Sequence, residues 1–357
     1  MTTPEKVIRD DIRAISAYHI APAEGMVKLD AMENPYRLPE ALQRDIGALA
    51  AGAALNRYPD PTAAALKQRL RGTMQIPAGC EILLGNGSDE IIQLVVSASA
   101  RTGAVVMAPE PTFVMYRLSA GVAQARYAAV SLEADFSLDP RRFIAEMEAH
   151  RPSVVFISYP NNPSGNLYSE QAVASIIERA PGLVVVDEAY HVFAGRTFMT
   201  RLGEFPNLMV LRTVSKLGLA GLRLGYAAAR PEWIREFEKV RPPYNVGVLT
   251  QLVAERILAS HAVLEAQAGK IRADRARLAA RLRQLPGVAP FPSDANFILA
   301  RVPDAPRIYA ALMRCKVLVR NLHGAHALLD HCLRFTVGTP GENDQLIAAL
   351  AESMAEL

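Results

Sequence analysis

SVVFISYPNNPSGNLYSEQAVASIIERAPGLVVVDEAY (153–190) decides the fold. Its two apolar runs, SVVFIS (153–158) and LVVVDE (183–188), are hydrophobic at nearly every position, as strands buried on both faces must be. Between them the turn YPNNPSG (159–165) precedes an amphipathic segment from Ser169 to Ala180. Strand, helix, strand in this order is a βαβ unit, which predicts parallel neighbours in a doubly wound sheet. The same texture continues on both sides, through EILLG (81–85), AVVMA (104–108) and ARYAAV (125–130), then LMVLRT (208–213) and LGYAAA (224–229). The sequence therefore predicts an α/β fold: a large domain with a mainly parallel, seven-stranded sheet covered by helices on both faces. Helices are expected over Asp89–Ala100 and Asp139–His150 as well, with Ser88, Asp139 and Ser169 as N-caps.

After Tyr226 the texture changes. RPPYN (241–245) breaks the chain, and one long helical stretch is expected from about Val248 to Leu285. NFILARV (296–302), KVLVR (316–320) and CLRFTVG (332–338) then read as strands among helices, and a final amphipathic helix is expected from Asp344 to Leu357. This predicts a smaller α+β domain. The expected division is an N-terminal arm over 1–35 packed on the small domain, a large domain over 36–245 and the small domain over 246–357. No strong sheet signal is expected within the arm.

At 357 residues the chain has material for about two domains. Thirty-nine basic against 36 acidic residues give a net charge of +3 with no basic cluster, which argues against nucleic acid as a partner. The start MTTPEKVIRDD lacks the apolar stretch of a signal peptide, and no run suits a membrane span, so a cytoplasmic protein acting on small molecules is expected. Three widely spaced cysteines, Cys80, Cys315 and Cys332, suit neither a disulfide framework nor a zinc site.

Ligands of open α/β sheets gather at the carboxyl ends of the strands, so the residues after each run are the ones to inspect. After EILLG, the loop GNGSDE (85–90) can present the amides of Ser88 and Asp89 at a helix start, as a phosphate cradle does; it is also compatible with a plain glycine-rich turn. Asn162 can project an amide into the same crevice, or simply stiffen a turn. Asp187 ends an apolar strand, where a carboxylate needs a cation, a protonated ring nitrogen or a helix cap. Tyr190 follows three residues on. In TVSKLGLAGLRLGY (213–226), Lys216 sits among small and apolar flanks that lower an amine pKa, as a Schiff-base lysine requires. An amine, a buried aspartate and a phosphate cradle together describe a pyridoxal 5'-phosphate site.

GNGSDE, YPNNPSG, VVVDEAY and TVSKLGLAGLRLGY occur in the order and spacing of the fold-type I pyridoxal-phosphate aminotransferases, and the chain resembles that group. LDAMENPY (29–36), LNRYPD (55–60), RPPYNV (241–246), VLVRNL (317–322) and LRFTVGT (333–339) make it similar to the histidinol-phosphate aminotransferase family over nearly its whole length. The resemblance implies that Lys216 bonds the cofactor and shuttles a proton, that Asp187 pairs with the pyridine nitrogen, and that Tyr190 and Asn162 hydrogen-bond the phenolic oxygen. It implies a phosphate site from Ser88, Asp89, Thr213, Ser215 and Arg223, and a homodimer in which Tyr58 reaches the neighbouring cofactor phosphate. The ring-stacking position is Phe113, where the family more often has tyrosine. The loop from Lys216 to Arg223 is one residue shorter than in many relatives, so Arg223 is matched through LAGLR and not through spacing.

For substrate, the resemblance implies that Arg334 and Arg320, with Tyr18 of the arm, grip the phosphate of histidinol phosphate, and that Arg334 also takes the carboxylate of glutamate. Threonine-phosphate decarboxylase and aromatic-amino-acid aminotransferases are the alternatives within the fold. His323, His326, His331 and Cys332 cluster in sequence, but no paired-cysteine or acidic ligand pattern accompanies them, and no metal is expected.

Overall fold

The structure, a computed structural model, describes residues 2–17 and 22–356. After a short strand β1 (Val27–Leu29), the chain forms β2 (Glu81–Gly85), β3 (Val105–Glu110), β4 (Arg126–Ser131), β5 (Val154–Ser158), β6 (Leu183–Asp187), β7 (Leu208–Thr213) and β8 (Gly225–Ala229). β2 to β8 make one seven-stranded sheet in the order β2-β8-β7-β6-β5-β3-β4. The seven apolar runs are these seven strands. β4, β3, β5, β6 and β7 are parallel, and β8 runs antiparallel to both β7 and β2. Both faces are covered. Val184 and Val186 of β6 pack into the apolar layer on one side, and Val185 packs with Phe156 and Leu211 into the layer on the other. The continuous apolar runs follow from this two-sided burial.

The connecting helices lie within a residue of their expected bounds, at Ser88–Ser99, Pro140–His150 and Glu170–Arg179. The caps differ. Asp139 accepts from the Arg141 amide as expected, whereas Ser169 makes no capping bond and Ser88 is itself the first helical residue, behind Gly87 at φ +88°. The expected single stretch from Val248 to Leu285 is two helices, Val248–Leu258 and His261–Leu282, with the chain turning at Ala259 and Ser260.

β9 (Ala289–Pro290), β10 (Phe297–Arg301), β11 (Val317–Asn321) and β12 (Cys332–Thr336) form a second sheet with β1, in the order β1-β11-β12-β10-β9. The segment expected to lack sheet thus supplies an edge strand, parallel to β11, with Val27 opposite Val317. Three residues of which only Leu29 is buried show no period that a sequence pattern can reveal. The closing helix is Pro340–Ala355, begun by a capping box between Thr339 and Glu342.

One buried ion pair ties the ends of β6 and β7 together. Arg212 donates through Nε (2.9 Å) and Nη2 (2.8 Å) to Oε2 of the fully buried Glu188, and Thr197 donates to the same carboxylate. Removing one partner strands the other charge in the core. Arg212→Met is expected to lower stability by about 3–5 kcal/mol, read by urea unfolding.

Candidate functional site

β5, β6 and β7 end side by side, so their last residues, Ser158, Asp187 and Thr213, open onto one crevice. Around it lies an open cleft lined by Ser88, Asp89, Phe113, Asn162, Asp187, Tyr190, Thr213, Ser215, Lys216 and Arg223, and also by Met32, Ser158 and Ala189. Residues from six separate sequence motifs therefore meet in one place.

At one end is an anion cradle. Gly87, in the left-handed region, turns the chain so that Ser88 opens the helix at the edge of the cleft. β8 passes close behind, and a Cβ at Gly225 would stand 2.4 Å from the Ser88 nitrogen. A Cβ at Gly87 would stand 2.6 Å from Nη2 of Arg223. Thr213 Oγ1 donates to Ser215 Oγ at 2.9 Å, and Arg223 Nη1 reaches that hydroxyl at 3.4 Å. Helix amides, two hydroxyls and a guanidinium together suit a phosphate.

At the other end Asp187 is buried. Its Oδ2 accepts from the Tyr116 hydroxyl at 2.7 Å and its Oδ1 from the Ala189 amide at 3.1 Å. Burial raises its pKa to about 6 against the pull of those two donors. Between the two ends lies Lys216, whose Nζ donates to the Ala31 carbonyl at 3.0 Å and stands 5.9 Å from the Tyr190 ring centroid. Burial, then the charge of Arg334, lowers its pKa to about 8. The buried acid, the poised amine and the phosphate cradle fit pyridoxal phosphate.

Arg334 arrives from the second sheet. Its Nη1 donates to Asn162 Oδ1 at 2.6 Å, its Nη2 to the Asp30 carbonyl at 2.8 Å, and its guanidinium lies 5.3 Å from the Phe297 ring centroid. Arg320 stands opposite it in the β11–β12 register, so both side chains leave the same face. Tyr58 does not line this cleft; it is 80% exposed and stacks on Tyr244 at 4.4 Å. Tyr18 lies outside the described residues. In the histidine cluster, the backbone amides of His331, Leu328 and Ala305 donate to the Nδ1 atoms of His323, His326 and His331 respectively.

Three contributors were not read from the sequence. Ala31 and Met32 belong to the segment before Glu33, and Met32, at φ +55°, is held by Thr336 Oγ1 on its amide and Asn296 Nδ2 on its carbonyl. Its thioether accepts from the Tyr190 hydroxyl at 3.1 Å. Tyr116 follows Phe113 by three residues in PTFVMY, in the first turn of the helix Met115–Val122 that begins after Phe113.

The sequence matches the family described as aminotransferase class I and II over residues 24–350, and the chain belongs to that family. Within it, the chain is 53% identical over 348 residues to histidinol-phosphate aminotransferase of Chromobacterium violaceum, covering 98% of both chains. It is 52% identical over 357 residues to histidinol-phosphate aminotransferase 2 of Cupriavidus pinatubonensis, covering 99% of this chain and 98% of that one. Among solved structures, the histidinol-phosphate aminotransferase of Sinorhizobium meliloti in complex with pyridoxal-5'-phosphate superposes with a TM-score of 0.87 at 25% identity, covering 97% of each chain.

The raised pKa of Asp187 fixes a pH dependence. The folded cofactor-free chain holds that proton more tightly than the unfolded one, so the stability it confers is complete below about pH 4 and lost as pH climbs through about 6. Cofactor-free protein is expected to lose about 2–3 kcal/mol from this group across that window, and Asp187→Asn to abolish the loss, checked by urea unfolding from pH 4 to 7. Gly225→Ala, which drives a methyl into the Ser88 amide, should weaken cofactor binding about tenfold or more, measured by equilibrium dialysis.

Proposed function

We propose that the chain is a histidinol-phosphate aminotransferase, moving an amino group between glutamate and imidazole-acetol phosphate on pyridoxal 5'-phosphate, in histidine biosynthesis. The observation that carries this reading is the convergence of Lys216, Asp187 and an anion cradle on one cleft, with Arg320 and Arg334 paired on the facing sheet. When bound, pyridoxal phosphate supplies a ring that draws electrons from the substrate Cα as its C–H bond breaks. Asp187, as the anion, holds a proton on the ring nitrogen. Tyr190 and Asn162 hydrogen-bond the phenolic oxygen, and Phe113 covers the ring face. The amides of Ser88 and Asp89, the hydroxyls of Thr213 and Ser215, and Arg223 hold the phosphate. Lys216, with its pKa near 8, would take the proton from the substrate Cα and deliver it at the cofactor's C4′, on the other side of the shared nitrogen, since its amine is partly unprotonated near neutral pH.

Two guanidinium groups on one sheet face suit a doubly charged phosphate as well as a carboxylate, so Arg320 and Arg334 can serve both substrates in turn, with Tyr18 closing the phosphate site. The exposed Tyr58, with a second exposed apolar residue, Leu55, three positions before it, supports a homodimer in which Tyr58 completes the partner's phosphate site. A cytoplasmic location belongs to the same proposal and rests on the biosynthetic reaction; no described helix is long and apolar enough to cross a membrane.

The test is the absorption spectrum of the cofactor-loaded protein mixed with histidinol phosphate in the absence of any oxo acid. One equivalent of the resting cofactor band should convert to that of the aminated cofactor. A band that persists overturns the assignment and directs attention to threonine phosphate and aromatic amino acids. Lys216→Ala should lose multiple turnover altogether, and Arg334→Ala should raise the KM of glutamate and of histidinol phosphate alike by about tenfold or more.

A further inference from the structure

The Asp187 carboxylate faces its task with no cation in contact among the described residues of its own sheet. Each of its oxygens has one donor: the Ala189 amide for Oδ1, and the Tyr116 hydroxyl for Oδ2 at 2.7 Å. The amide comes with the backbone turn, but the hydroxyl is brought from elsewhere in the fold. Tyr116 is fully buried near the start of the helix Met115–Val122. Its ring stacks on Phe156 of β5 at 4.5 Å and 7°, and meets Phe113 edge-on at 5.7 Å and 86°. A ring so clamped cannot swing, so the hydroxyl position is set by the core.

We propose that Tyr116 is a positioning residue for the reaction: its hydroxyl orients the Asp187 carboxylate and holds it as the anion that faces the cofactor ring nitrogen. The inference rests on the pyridoxal-phosphate reading of the cleft, but on neither substrate. Phe113 lies in the turn just before this helix, and the Tyr116 amide donates to its carbonyl at 3.3 Å, so the contact over the ring face and the partner of its nitrogen are joined through the start of one helix. The charge balance around the pair is one-sided. Asp89, on the helix Ser88–Ser99, and Glu188, next in the chain, both oppose ionisation of Asp187, and Glu188 is taken up by Arg212. Lys216 and Arg223 lie across the same cleft. Behind Tyr116, Tyr127 of β4 lies against Glu110 and Arg117, which pair with each other at 2.7 Å, the Arg117 guanidinium standing 4.7 Å from the Tyr127 ring centroid. Burial and the adjacent carboxylate push the Tyr116 pKa well above the usual phenol value, so the proton stays on Tyr116 and the charge on Asp187. A hydrogen bond to the charged form of an acid favours that form, and this one is of the charge-assisted kind.

The experiment uses the full chain, cofactor-free, with carboxyl-labelled [13C]aspartate; Asp187→Asn identifies the resonance. Tyr116→Phe should raise the Asp187 midpoint by about one pH unit, a tenfold change in proton affinity. In the cofactor-loaded enzyme the same variant should lower kcat about tenfold near pH 7 while moving the KM for glutamate by less than about threefold, because the contact lies behind the ring and away from substrate. An unmoved midpoint overturns the proposal, and so does a fall in kcat with the midpoint unmoved, which marks a packing role alone. Should Tyr116→Phe not fold, wild-type protein carrying [13Cζ]tyrosine gives the answer: the Tyr116 resonance should shift with the Asp187 midpoint and lose that shift in Asp187→Asn, and a resonance blind to it overturns the proposal. Failure of histidinol phosphate to react would leave these cofactor-free titrations untouched, so the two readings fail separately.

Discussion

A carboxylate buried at the end of the central strand is the constraint on which the rest of the site depends. Asp187 closes β6, between the ends of β5 and β7, among layers of apolar side chains. An anion there is costly unless something on the open side of the sheet carries a positive charge, and the fold leaves that side open to the cleft. The two donors on Asp187 orient it without neutralising it. The remaining charge is what a protonated pyridine answers. The neighbouring Glu188, one residue on and also buried, has its own cation in Arg212 and so does not compete.

Parallel strand order explains why chemistry collects here. The adjacent parallel strands β5, β6 and β7 place their carboxyl ends at one edge, and each continues into a short loop carrying a polar residue, Asn162, Tyr190 or Lys216. β8 then returns antiparallel, bringing Gly225 against the Ser88 amide. A side chain at that point would close the cradle. The antiparallel strand in an otherwise parallel run of neighbours thus has a local purpose, since it brings Gly225, with Arg223 just ahead of it in the chain, to the end of the cleft that would hold a phosphate.

The second sheet reaches the same cleft by way of the chain's beginning. Asp30, Ala31 and Met32 run between the sheets, with the Asp30 carbonyl on Arg334, the Ala31 carbonyl on Lys216, and Met32 pinned by Thr336 and Asn296. Met32 adopts a left-handed backbone that costs a residue with a side chain about 1 kcal/mol or more, and such strain persists only where the surroundings over-determine it. The groups that would handle the cofactor and those that would read the substrate are therefore mechanically joined through three consecutive residues.

Most of the sheet was legible because strands buried on both faces are written as nearly unbroken apolar runs, as β3, β5, β6 and β8 are, while the edge strand β4 alternates buried and exposed positions. The chemical residues were legible where a loop follows a run directly, as for Asp187, Lys216 and Ser88. β1 was not, being three residues long and paired only by its backbone to β11. Nor was the break at Ser260, where helical periodicity continues across the turn. By itself the sequence determined which segments are buried strands and which polar groups follow them, since both depend on local composition. Tertiary structure alone decided that Tyr116 meets Asp187 across 71 positions of chain, that Ala31 meets Lys216 across 185, and that Arg334 meets Asn162 across 172. Those contacts are made by packing between elements distant in sequence, and no local period encodes which elements will meet.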